Sequence, residues 1–305
     1  MPYYRMPDGE QLSVREFGQG QPVLVLSGLG MQSWQWLPFL YPQAKNNKFI
    51  IPDWRGFGRS QHCSIPELDA ISSHWRDIES LIEQFQLDQF SVIAYSMGAT
   101  TAMHGMHYSN LNKKLTRYLH IDQTPKISVD ETWQYGLFSQ QQPKFKQLLA
   151  EISQLLAEKP HAVQLSDLDI ASRQHLLELW FGFLQLQASN KVAPLVVKMV
   201  LKQPKLQSLV LPMQRLDYLA WYVNNYLHHQ EDYRDAIAQL ACPSTFFIGE
   251  QSRLYPAAGQ KIIANSVKNS KQIIFEKSGH TPLISEPIKF GREIAQFLKQ
   301  GNLIK

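Results

Sequence analysis

Apolar positions along residues 1–125 fall into two alternating kinds of run. Short stretches at 12–17, 22–26, 49–52, 90–93 and 118–121 are rich in β-branched and aromatic residues, have strand length, and end in turn residues. Between the third and fourth, Ile71, Trp75, Ile78, Leu81, Ile82 and Phe85 recur with the period of a helix, and the small-residue-rich segment 99–107 follows the fourth. Strands alternating with helices predict a largely parallel, doubly wound sheet, in which reacting groups stand at the carboxyl ends of the strands. Gly28, Asp53, Ser96 and Asp122 each follow a predicted strand end.

From about residue 126 to 234 the strand pattern stops. Segments 145–156, 175–187 and 214–228 read as helices, with Pro143, Pro160, Pro194, Pro204 and Pro212 as breaks. Strands resume at 244–248 and 272–275, with helices at 257–264 and 288–300. The division this predicts is a core of residues 1–125 with 235–305, interrupted by a helical insertion at 126–234.

Three loops bear on chemistry. The stretch FSVIAYSMG at 90–98 reads as strand, tight turn and helix with Ser96 at the turn. It matches the G-x-S-x-G nucleophile elbow except that Ala94 replaces the first glycine. Small residues are required there because strand and helix cross closely. Gly28 and Gly30, directly after an apolar strand, let the backbone of SGLG at 27–30 turn sharply and expose amide groups, which by itself fits a simple glycine turn as well as a loop that faces an anion. His280, one of ten histidines, sits beside Gly279 in the loop after the last strand.

Composition narrows the function classes. A chain of 305 residues with 44% hydrophobic and 18% charged residues can bury a full core. The net charge of +4 is spread over scattered lysines and arginines with no binding motif, which argues against nucleic acid as a partner. Two cysteines, Cys63 and Cys242, make no disulfide framework, and no Cys/His spacing suggests a metal site. The opening residues MPYYRMPDGEQL lack a signal-peptide core, and no apolar run reaches the roughly 18 residues of a membrane span. A cytoplasmic protein without membrane, metal or cofactor is the expectation.

In order and spacing, SGLG at 27–30, PDWRGFGRS at 52–60, AYSMG at 94–98, the helical insertion, FIGE at 247–250 and SGHTPLISEP at 278–287 resemble the α/β-hydrolase superfamily across nearly the whole chain. The resemblance implies an α/β-hydrolase fold with a helical cap. It also implies a serine hydrolase's groups: Ser96 as nucleophile, His280 as base, and the backbone amides of Leu29 and Met97 as oxyanion donors. The acid departs from the common pattern. Many members read G-x-x-D after the penultimate strand, whereas Gly249-Glu250-Gln251-Ser252 places a serine there. Other members carry their acid just before the cap, the place of Asp122, so Asp122 is the expected acid and Glu250 the alternative. Asp53 is expected to hold the 54–56 loop with Arg55 as its companion, neither being catalytic.

The insertion supplies Trp133, Tyr135, Phe138, Trp180, Phe181, Phe183, Trp221, Tyr222 and Tyr226. Most are expected to pack within it and a few to line an entrance above Ser96, which suggests a small hydrophobic substrate. The resemblance, esterase- and haloperoxidase-like, implies hydrolysis of a carboxylic ester or lactone through an acyl-enzyme. Carbon–carbon bond hydrolysis and perhydrolysis use the same groups. Two other classes share the fold. Cofactor-free dioxygenases that open quinolone rings have a similar PxWRGxG-type loop, but carry polar and aromatic residues where this chain has Leu29, Gly30 and Met31. Hydrolase-fold ligand-binding proteins can retain the same residues with little turnover.

Overall fold

The computed structural model describes residues 1–187 and 215–299. Its strands are β1 (Tyr3–Arg5), β2 (Gln11–Phe17), β3 (Gln21–Leu26), β4 (Asn47–Pro52), β5 (Phe90–Tyr95), β6 (Leu115–Ile121), β7 (Ser244–Gly249) and β8 (Ser270–Phe275). They form one sheet in the order β1-β2-β4-β3-β5-β6-β7-β8. β1 and β2 join antiparallel at one edge, and β4 through β8 run parallel with β3. β1 was not foreseen: three residues paired only to β2 bury too little to leave an apolar pattern.

The central strands are buried along nearly their whole length because both faces of the sheet are covered. Leu24, Leu26, Val92 and Ala94 face one core, and their neighbours Val23, Val25, Ile93 and Tyr95 face the other. That is the two-residue alternation of a strand applied to a two-sided sheet. Helices α1 (Ala70–Gln84) and α2 (Met97–Tyr108) close the first core. On the same side, α6 (Ala257–Ser266) contributes Ile263 and Ala264, while α7 (Pro287–Lys299) covers the opposite face with Phe290, Ile294 and Phe297.

The helices of the 126–234 stretch that are described are α3 (Gln142–Ala157), α4 (Ile170–Gln187) and α5 (Leu216–His228). α3 packs against both α4 and α5. Pro143 starts α3 rather than breaking the chain before it, since proline in the first turn costs no hydrogen bond. α4 begins five residues ahead of the expected 175, where the Asp169 carboxylate accepts the Ser172 N–H at 2.9 Å and caps the helix. Pro194, Pro204, Pro212 and Gln214, and Gln300 at the end of the expected last helix, lie outside the described residues.

The loop after β4 corrects one expectation. Asp53 does tie loops together, accepting the Ser33 N–H at 2.7 Å and the Arg59 N–H at 3.2 Å. Arg55 is not its companion. The Arg55 guanidinium meets Asp77 on α1 with two bonds of 2.6 Å and Asp8 with a third of 2.6 Å. A planar five-donor fork matches a carboxylate held edge-on, and Asp77 is the buried one.

The chain passes from β3 to β4 on one side, then crosses to β5 on the other. The loops that leave β3 and β5 therefore diverge, and the sheet opens a crevice at their carboxyl ends.

Candidate active site

β5 enters α2 through Ser96, whose backbone is turned to φ 52° and ψ −122°. That region is rarely occupied by a side-chain-bearing residue and is held only by the packing around it. The packing is evident at Gly98, where an added Cβ would lie 2.2 Å from the Leu26 carbonyl oxygen of β3. No side chain larger than hydrogen fits between helix and strand. Ala94, the relaxed position of the motif, is fully buried. Met97 is the first residue of α2, so its N–H belongs to the set that has no acceptor within the helix.

The loop leaving β3 runs against this turn. A Cβ on Gly28 would stand 3.0 Å from the Tyr95 ring and 3.3 Å from the Ser96 Cβ. Gly28 and Leu29 line the same cavity as Ser96 and His280.

His280 is brought in by the loop after β8. Its Nε2 lies 2.9 Å from the Ser96 Oγ and its Nδ1 2.8 Å from the Asp122 Oδ1. The His280 carbonyl accepts the Tyr95 hydroxyl at 2.9 Å, and the rings of Tyr95 and Tyr255 pack on its imidazole. Asp122 directly follows β6, and its N–H continues the ladder to the Phe247 carbonyl of β7. The residue then turns to φ 42°, a conformation aspartate tolerates better than most residues. Its carboxylate has no exposed surface. Oδ2 accepts the Gly249 N–H at 2.9 Å, and Oδ1 accepts the Ser252 hydroxyl at 2.7 Å together with His280. Glu250 is not brought to the imidazole. It turns outward, 42% exposed, to the Lys261 ammonium at 2.8 Å.

Above these groups lies a cavity of about 300 Å³. Phe145, Leu149 and Ile152 reach it from α3, Trp180 and Phe183 from α4, and Leu219, Tyr222, Val223 and Tyr226 from α5. None of its described lining residues is an acid, lysine or arginine. Of the aromatic residues singled out in the 126–234 stretch, Trp180, Phe183, Tyr222 and Tyr226 meet the cavity. Phe138 packs behind it on Phe145 and Phe183. Trp133 and Tyr135 pack on each other beside Gly259 of α6, and Trp221 donates to the Leu68 carbonyl.

Several groups at the site carry no signal in the sequence. Ser252 and Tyr255 follow β7 and Tyr95 precedes the turn, so only folding sets them around His280. His74 on α1 is another. It is fully buried, 2.7 Å from the Tyr222 hydroxyl, and stacked at 4.5 Å on Trp54. Burial, reinforced by the nearby Arg55 charge, pushes its pKa down to about 3. A neutral imidazole donating from Nε2 leaves the Tyr222 hydroxyl free to donate to the Arg55 carbonyl at 3.3 Å, which fixes the Tyr222 ring in the cavity wall. Among the described residues, no group of three histidines, cysteines or acids is arranged to hold a metal ion, and no helix is long and apolar enough to cross a membrane.

The family model described as "Alpha/beta hydrolase family" matches residues 23–292. A pimeloyl-[acyl-carrier protein] methyl ester esterase of Vibrio vulnificus is 25% identical over 281 residues, spanning 92% of this chain and 95% of that one. Among solved structures, a thermophilic esterase from Thermogutta terrifontis superposes with a TM-score of 0.71 at 17% identity, covering 98% of this chain and 99% of that chain. A bromoperoxidase from Bacillus anthracis gives 0.66 at 15% identity, with 95% of each chain covered. These two show a shared fold.

Proposed function

Because this chain belongs to the alpha/beta hydrolase family, we propose that it is a serine hydrolase that cleaves a carboxylic ester or lactone of a small hydrophobic substrate. The observation that carries the reading is the continuous hydrogen-bonded chain from Asp122 through His280 to Ser96 at the floor of an apolar cavity. In this reading the Ser96 Oγ attacks the substrate carbonyl as His280 Nε2 takes its proton, and Asp122 holds the Nδ1–H and stabilises the imidazolium. The N–H groups of Leu29 and Met97 receive the negative oxygen, a contribution of roughly 3 to 4 kcal/mol for one such donor. His280 then protonates the leaving alcohol, and water repeats the sequence on the acyl-enzyme.

The apolar lining favours a neutral acyl chain, since a buried carboxylate or phosphate would find no cation among the described lining residues. The likeness to pimeloyl-[acyl-carrier protein] methyl ester esterases makes methyl esters of medium-chain acids a first choice in a substrate panel. Residues 126–234 act in this reading as a cap on a core of 1–125 and 235–305. Two free, buried cysteines suit a reducing compartment, and we read the enzyme as cytoplasmic.

The test is to treat the protein and its Ser96→Ala variant with a small fluorophosphonate and weigh the intact chains. A single adduct on the unmodified protein, absent from the variant, is expected, followed by turnover of methyl esters or lactones. An unlabelled wild-type protein refutes the reading.

A further inference from the structure

Asp122 is restrained from two directions besides His280. The Gly249 N–H on Oδ2 is a backbone donor that no side-chain change removes. The Ser252 hydroxyl on Oδ1, at 2.7 Å, is a single side chain, and it shares that oxygen with the His280 Nδ1–H at 2.8 Å. Ser252 is 8% exposed and Asp122 0%, so water has little access to replace the hydroxyl. The direction of the Ser252 proton is also set. Its Oγ faces the Tyr255 N–H at 3.4 Å, which leaves the hydroxyl hydrogen to point at Asp122.

We propose that Ser252 is a positioning residue that acts on His280 through Asp122. With an outside donor on each carboxylate oxygen, the group cannot rotate about its Cβ–Cγ bond without breaking both bonds, and Oδ1 stays aligned with the imidazole. The hydroxyl also draws charge from the oxygen that faces Nδ1. That oxygen stabilises an imidazolium less than a bare carboxylate would. The groups that face His280 are Ser96 and Tyr95 from the turn, Tyr255 from the loop after β7, and Asp122 from the end of β6. Among these described neighbours Asp122 is the carboxyl group and meets Nδ1 itself, so a change in its hydrogen bonding reaches the imidazole directly.

This inference rests on Ser96 being the activated nucleophile, and the experiment separates the two. The second-order rate of fluorophosphonate labelling at Ser96 is measured from pH 5 to 9 for the wild type, Ser252→Ala and Ser252→Cys, with thermal unfolding of each. Ser252→Ala is expected to label roughly tenfold more slowly on the plateau, and its acid limb to move up by roughly half a pH unit. Ser252→Cys, a weaker donor of similar shape, should fall between, and it supplies the same readout if the alanine variant does not fold. An acid limb that stays put or moves down in both variants overturns the proposal, even where labelling slows with a lowered unfolding temperature. A wild type that does not label removes the serine-hydrolase reading instead.

Discussion

Replacing Asp122 by asparagine changes one oxygen to an NH2 group, and the structure dictates which one. The Oδ2 side faces a fixed backbone donor, the Gly249 N–H at 2.9 Å. An NH2 placed there would set donor against donor in a fully buried site, so the amide oxygen must take that side. The NH2 then replaces Oδ1 and points at the His280 Nδ1. Only an unprotonated Nδ1 can accept it, which places the ring proton on Nε2, where it donates to the Ser96 Oγ instead of accepting from it. In the proposed mechanism this is the wrong tautomer for a general base. A substitution of this kind lowers turnover by about 10⁴-fold where the geometry is otherwise kept, which corresponds to about 5.4 kcal/mol in the barrier. Asparagine also tolerates the positive φ of 42°, so the fold should survive. The assay pairs kcat/KM on an activated ester, or the labelling rate at Ser96, with urea unfolding. A loss of less than tenfold in a folded variant would refute this reasoning and return attention to Glu250.

Adding Ser252→Asp to Asp122→Asn returns a carboxylate beside the imidazole, because the Ser252 Oγ lies 2.7 Å from the oxygen that His280 meets; kcat/KM should recover at least tenfold over the single variant. No recovery would place position 252 out of reach of the ring. His74, His120 and His229 are buried and pushed down to about 3, 4 and 4, mainly by burial, while in the unfolded chain they titrate near 6.5. The folded state thus binds fewer protons, and their stabilisation is complete above about pH 6.5 and lost as pH falls towards 4, at about 1.4 kcal/mol per unit for each. His74→Gln should flatten the slope of unfolding free energy between pH 6 and 4.5 by that amount in urea titrations, and an unchanged slope removes His74 from the account. Gly98→Ala drives a methyl to 2.2 Å from the Leu26 carbonyl oxygen, a backbone atom that cannot yield. A loss of about 3 kcal/mol or more in unfolding free energy is expected, and a variant as stable as the parent shows that the helix can slide away from β3.

The sheet was legible because seven of its strands satisfy local rules, apolar runs of strand length closed by turn residues, and because a parallel sheet leaves those runs uninterrupted. The elbow was legible for the same reason, as the steric demand at Ala94 and Gly98 writes itself into residue size. What the sequence hid are contacts between side chains far apart along the chain. Arg55 finds Asp77 on a helix 22 residues further on and Asp8 on the far side, a pairing without local pattern, so the sequence alone points to its nearest acid, Asp53, instead. Ser252 looked like a missing acid, since nothing in a lone serine shows that it faces a carboxylate 130 residues away. His74 was invisible as a support of the cavity wall for the same reason.

The separations along the chain have a consequence for how the protein comes into being. His280 meets Ser96 across 184 residues and Asp122 across 158. The turn that presents Ser96 is local and can form as soon as β3 and β5 pair, whereas His280 arrives only when β8 docks on β7 at the far edge of the sheet. In the proposed mechanism a chain emerging from the ribosome has no base beside Ser96 until β8 is in place, and labelling at Ser96 is expected to begin with that strand. The fold serves as its own delay, and the appearance of labelling at Ser96 during refolding times the completion of the sheet.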